Sequence, residues 1–194
     1  ARKLQGEEQE ITPKLGSKFH FDLPGSLQGF VPTDDPKTRG VVELENVEGR
    51  TELGTRFLAI RYRQLAAGRV ARVGTATFIP AEAAKMIGYG LIASPTLYPG
   101  QEVAARVFAD ANNEAPINVA LYVGHYDAKD EVKRLTGDVV TLEPGDSALL
   151  TLRVPDLEGF PTCEVGIEAT SERRVDGTVY LDYLTWDGPA NATF

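Results

Sequence analysis

Apolar and polar residues alternate one by one along much of this chain. Val103, Ala105, Val107 and Ala109 are interleaved with Ala104, Arg106, Phe108 and Asp110. Ile117, Val119, Leu121 and Val123 are interleaved with Asn118, Ala120, Tyr122 and Gly124. Ala148, Leu150, Leu152 and Val154 repeat the pattern against Leu149, Thr151 and Arg153. A strand sends successive side chains to opposite faces, so a period of two predicts half-buried β-strands. Weaker versions predict further strands at 18–23, 40–45, 56–63, 69–79, 135–142, 162–170 and 178–186. About ten strands suffice for two packed sheets. The expected fold class is therefore all-β, a two-sheet antiparallel β-sandwich of the jelly-roll kind.

The punctuation agrees. Pro24-Gly25, Pro99-Gly100 and Pro144-Gly145 each abut a predicted strand and suit a type II turn, proline setting the first φ and glycine taking the positive one that follows. Residues 80–87, opening with Pro80 and continuing in good helix formers, predict one short helix or turn. Residues 1–16 are polar and read as a tail or linker, leaving 17–194 as a single β-sandwich domain.

Segments 101–110 and 117–126 are joined by a turn-rich stretch, Ala111-Asn112-Asn113-Glu114-Ala115-Pro116, and are expected to pair as a hairpin. Their odd-numbered aliphatic residues would then face the core. Arg106, Phe108, Asp110, Asn118, Tyr122 and Tyr126 would share the other face, beside small Ala104, Ala120 and Gly124. Aromatic rings bordering a shallow polar trough suit a sugar, whose C–H faces lie on rings while its hydroxyls meet Arg, Asn and Asp. The expected ligand-binding set is Arg106, Phe108, Asn118, Tyr122 and Tyr126. The alternative is that Phe108 and Tyr122 pack as an ordinary cross-strand pair.

In the last strand the alternation slips: Val179 and Leu181 keep one phase, Leu184 and Trp186 the other. A β-bulge produces such a slip and frees backbone carbonyls. Asp182 stands at it, and a carboxylate with freed carbonyls is a hard-oxygen set suited to Ca²⁺. Asp22, near the first predicted strand, is a second acidic candidate. Asp182 could equally accept backbone N–H groups at the bulge.

Charge and composition narrow the partners. Among 194 residues, 20 Lys and Arg stand against 28 Asp and Glu, a net charge of −8. That argues against a nucleic-acid partner, whose phosphates require a cationic surface. No apolar run approaches the roughly 20 residues of a membrane-spanning helix, so no membrane role is expected. Cys163 is the sole cysteine, which excludes an internal disulfide and a thiolate metal cluster. His20 and His125 are the only histidines, and no nucleophile-elbow, zinc-protease or phosphate-loop motif is present. Glu43-x-Glu45 and Glu164-x-x-x-Glu168 offer the paired carboxylates that glycoside hydrolysis needs, but catalysis is the lesser expectation.

Phe21-Asp22 with Leu27-Gln28-Gly29-Phe30, then Gly54–Ile60, Tyr98–Val103 and Val179–Leu184, together resemble the galactose-binding-like jelly roll shared by many carbohydrate-binding modules. The resemblance implies adjacent first and last strands sharing a structural calcium, with Asp22 and Asp182 as its ligands. It implies a non-catalytic carbohydrate-binding module that presents an aromatic and polar sheet face to a glycan. The ending Tyr180–Pro189 also resembles an accessory jelly-roll domain of bacterial ADP-ribosylglycohydrolase-family proteins. That resemblance implies an interaction domain packed on a catalytic domain of the same parent chain.

Overall fold

Alternation makes one side of every strand apolar, and that side is hidden from water only against a second apolar surface. The computed structural model, which describes residues 18–33, 41–49, 54–77 and 97–190, solves this with two stacked antiparallel sheets. One sheet contains β2 (Val42–Glu48), β3 (Arg56–Leu65), β11 (Val175–Asp187), β5 (Glu102–Ala109) and β9 (Ser147–Arg153), in that order. The other runs β1 (Val31–Pro32), β4 (Ala71–Ala76), β10 (Thr162–Thr170), β6 (Ile117–Tyr126) and β7 (Val132–Thr136), with β8 (Val140–Leu142) also on β6. They are called here the β11 sheet and the β10 sheet.

The core lies between them. Val103, Ala105 and Val107 look inward from the β11 sheet, Ile117, Val119 and Val123 from the β10 sheet, and all six are fully buried. Full burial of a valine or isoleucine contributes on the order of 1.5–3 kcal/mol, so these interleaved rows dominate stability. Phe21 and Phe30 pack edge-to-face, with ring centroids 5.4 Å apart, and plug the end where the chain enters.

All three Pro-Gly pairs turn as expected. Gly25, Gly100 and Gly145 have φ of 74°, 87° and 87°, each inside a turn closed by an N–H to the carbonyl three residues back. The bulge is also present: between Leu181 and Tyr183 the pairing of β11 with β5 shifts register. First and last segments adjoin through a bridge between Phe19 and Leu184.

Three expectations are corrected. Segments 102–109 and 117–126 do not form a hairpin: β5 pairs with β11 and β9, whereas β6 pairs with β10, β7 and β8. The connecting loop crosses from one sheet to the other, so the two aliphatic faces meet across the core and not side by side. The stretch 18–23 is mainly loop, because Phe21 takes a positive φ of 62°. Residues 135–142 belong to two strands, broken where the Gly137 N–H bonds the Leu121 carbonyl. The expected helix at 80–87 and tail at 1–16 lie outside the described residues.

Candidate functional site

Separating β5 from β6 divides the expected ligand-binding residues. Arg106 and Phe108 stand on the outer face of the β11 sheet; Asn118, Tyr122 and Tyr126 stand on the opposite outer face, that of the β10 sheet.

The Arg106 side forms an aromatic cluster. The Phe57 ring lies 5.7 Å from Phe108 and 5.6 Å from Tyr180, and the Arg106 guanidinium lies 5.8 Å from the Phe108 centroid. The Tyr180 hydroxyl donates to Asp110, and burial together with that carboxylate pushes its pKa up to about 12. Glu43 and Glu45 occupy this side too, paired with Arg63 and Arg61 as solvated ion pairs.

The other face is polar and closely bonded. Register places Tyr122 beside Gly166 of β10, with Gly74 of β4 next in line. The tyrosine reaches across β10 toward Gly74 and is fully buried on an outward face. A Cβ at Gly74 would collide with the Tyr122 hydroxyl, so the glycine is what lets the ring lie down. That hydroxyl donates to Glu164 and shares a 2.8 Å hydrogen bond with the Thr33 hydroxyl. Arg134 reaches both Glu164 oxygens at 3.4 Å through Nε and Nη2. Burial first, then the Glu164 charge, holds the Tyr122 phenol well above its ordinary pKa.

One row along the strands, Glu168 repeats the arrangement. It receives Arg72 Nε at 2.7 Å and the Thr136 hydroxyl at 3.0 Å. Glu164 and Glu168 are four residues apart on β10 and so point to one side. The sequence had offered them as a spaced acidic pair. Arg72 and Arg134 were missed, although Arg72 alternates with inward Ala71 and Val73 in the same way. Tyr126 stands at the far end, its hydroxyl pKa raised by burial and by Cys163. His125 Nδ1 is 2.8 Å from the Tyr126 carbonyl oxygen, and burial pushes the Cys163 thiol to about 11, away from nucleophilic use.

The two aspartates lie at the opening of β3. Asp22 Oδ1 accepts the N–H groups of Thr55 and Arg56, each at 3.2 Å. Asp182 is buried where β11 leaves its pairing with β3, one residue past the Leu181–Leu58 pair. The nearby carbonyls of Phe21, Leu23 and Ser26 converge on the Asn46 amide nitrogen at 2.8–3.2 Å, so the 21–26 loop is tied by a side chain. Among the described residues no group of three or more His, Cys, Asp or Glu gathers as metal ligands. The sole tryptophan, Trp186, packs inward, its ring 6.0 Å from Phe19, and offers no exposed stacking surface.

No family model matches the chain, and no curated protein matches it. Solved structures do. A β-sandwich-superfamily carbohydrate-binding module studied for promiscuous specificity aligns with a TM-score of 0.62 at 18% identity, over 89% of this chain and 62% of that one. The C-terminal family 22 carbohydrate-binding module of Clostridium thermocellum Xyn10B, studied for ligand binding by its cleft, aligns with a TM-score of 0.58 at 15% identity over 92% and 96%. A family 22 xylan-binding domain aligns with a TM-score of 0.57 at 15% identity, over 92% of this chain and 97% of its own. At such identities the likeness is one of fold: the chain is an antiparallel β-sandwich of the shape these carbohydrate-binding modules share.

Proposed function

We propose that this chain is a non-catalytic carbohydrate-binding domain that holds a glycan along the outer face of the β10 sheet. The observation that carries the reading is the Tyr122–Glu164–Arg134 array with its Glu168–Arg72 counterpart. The partly exposed Arg72 and Arg134 and the Thr136 hydroxyl are fixed by the more deeply set carboxylates and offer their remaining donors and acceptors to a hydroxyl-rich ligand. Their mutual bonds hold them in place beforehand, so little ordering cost remains at binding. The family 22 neighbours, described as xylan-binding, support the same class of ligand. A hydrolase would need two carboxylates facing one another across the scissile bond. Glu164 and Glu168 instead stand in line on one strand, each engaged by an arginine.

Calorimetric titration of the full chain with soluble xylo-, gluco- and manno-oligosaccharides tests the reading. Saturable binding that Glu164→Gln weakens about tenfold or more is the expected result, and a silent panel overturns it.

A second reading, an accessory domain docked on a catalytic domain of the same parent chain, is favoured by the Phe57–Phe108–Tyr180 cluster with half-exposed Leu149 nearby. A structural calcium held by Asp22 and Asp182 belongs to the first reading. Both carry carboxylates near one end of β3, and an ion held there would supply charge that ties the 21–26 loop to the last strand.

A further inference from the structure

The polar face ends in a hollow. Asn118 and Thr141 stand on the same outer surface as Tyr122, joined by a 2.7 Å hydrogen bond and displaced from it by four residues along β6, roughly 13 Å. Beyond them Pro116, Ser171 and Arg173 help to line a depression of about 220 Å³. Its far side comes from two loops, 110–116 between β5 and β6 and 171–174 between β10 and β11.

These loops are tied down. Arg173 Nη2 donates to the Glu114 carbonyl at 2.9 Å, linking one loop to the other. The Asn113 side chain pairs with both the N–H and the carbonyl of Thr178, at 2.8 and 2.9 Å. Ser171, itself buried, accepts the Arg173 N–H at 3.3 Å. The rim is thus built before any ligand arrives.

We infer that this hollow receives the terminal sugar of a glycan lying along the Tyr122 face, so that the domain reads chain ends and not chain interiors. The inference rests on the glycan-binding reading. The volume lies below the usual 300–1,000 Å³ of small-molecule sites, which suits one sugar ring. Pro116 and buried Ala115 provide an apolar side, while Asn118, Thr141 and the Arg173 guanidinium provide donors and acceptors for ring hydroxyls. Between hollow and Tyr122 the solvent-facing groups are Thr136 and the partly exposed Arg72, both held by buried Glu168. A chain following the strands past Arg72 and Thr136 meets the tied loops, and to continue it would have to lift off the face.

The test compares xylohexaose with long soluble xylan, and the corresponding pairs of β-glucan and β-mannan, by calorimetry on the full chain. End recognition gives one domain bound per chain whatever its length, with equal affinity per chain. Asn118→Ala and Thr141→Val each weaken hexasaccharide binding by about tenfold, the size of one or two lost hydrogen bonds, at unchanged melting temperature. Several domains per polymer chain, or full affinity in both variants, overturns the inference while leaving the glycan reading intact. No saturable binding to any hexasaccharide or polymer removes both.

Discussion

The Tyr122 hydroxyl donates to the Glu164 carboxylate across β6 and β10, and lies where a side chain on Gly74 would begin. An outward residue of an exposed sheet ordinarily points to water. Here Gly74 leaves room for the ring to lie down, so the phenol reaches the acid and Arg134 closes over the same carboxylate. The bond therefore links the choice of glycine at position 74 to the chemistry of the face.

Glu164→Gln keeps the size of the side chain but removes the charge that Arg134 and Tyr122 address. Glycan affinity should drop by about tenfold or more, while stability falls by only about 1–2 kcal/mol, as for a partly exposed hydrogen-bonded group. Calorimetry and urea unfolding on the same variant separate the effects. Unchanged affinity would move the site elsewhere.

Gly74→Ala places a methyl group where the Tyr122 hydroxyl now lies. Overpacking of this kind costs about 1–3 kcal/mol. The expected outcome is a destabilised domain with weakened sugar binding, since the ring must rise from the face. A variant as stable and active as the parent would show that the tyrosine does not need to lie flat.

Arg106→Ala and Phe108→Ala alter only the outer face of the β11 sheet, remote from Tyr122. Oligosaccharide affinity should be retained within about twofold, because sites without shared partners act independently. Abolished binding in either variant would transfer the recognition surface to the aromatic cluster.

Alkaline pH should destabilise the fold. Tyr180 has a pKa of about 12 in the folded chain, and Tyr122 is also raised well above its ordinary value near 10. The folded state then holds the phenolic protons more tightly than the unfolded state. Their stabilising contribution is complete below pH 10 and fades as pH climbs through the folded values. Urea midpoints measured from pH 8 to 12 should decline above pH 10, and Tyr180→Phe should make the decline shallower. A flat profile would contradict the burial of these phenols.

Chelation should lower the melting temperature by several degrees if Asp22 and Asp182 share a calcium ion, since a ligand of the native state stabilises by mass action. Asp182→Asn should abolish the response to added Ca²⁺. Identical melting curves with and without chelator would dispose of the ion.

The strands themselves were legible in the chain. Strict alternation at 103–109 and 117–123 marks which side of each strand is hidden, and the phase slip around Asp182 marked the bulge, because burial acts on each residue separately. Alternation carries no information about which strand lies alongside. Segments 102–109 and 117–126 are neighbours in sequence, yet the sandwich gains more by setting their aliphatic sides against each other across the core than by joining their edges. Pairing across strands far apart in sequence, Tyr122 beside Gly166 and Glu168 beside Arg72, brought the polar face together. Local sequence thus determined most of the strands, the Pro-Gly turns and the sides the strands turn to the core. Only the tertiary structure decided which polar sides became one surface, since that depends on contacts between residues 44 and 96 positions apart, which no local pattern records.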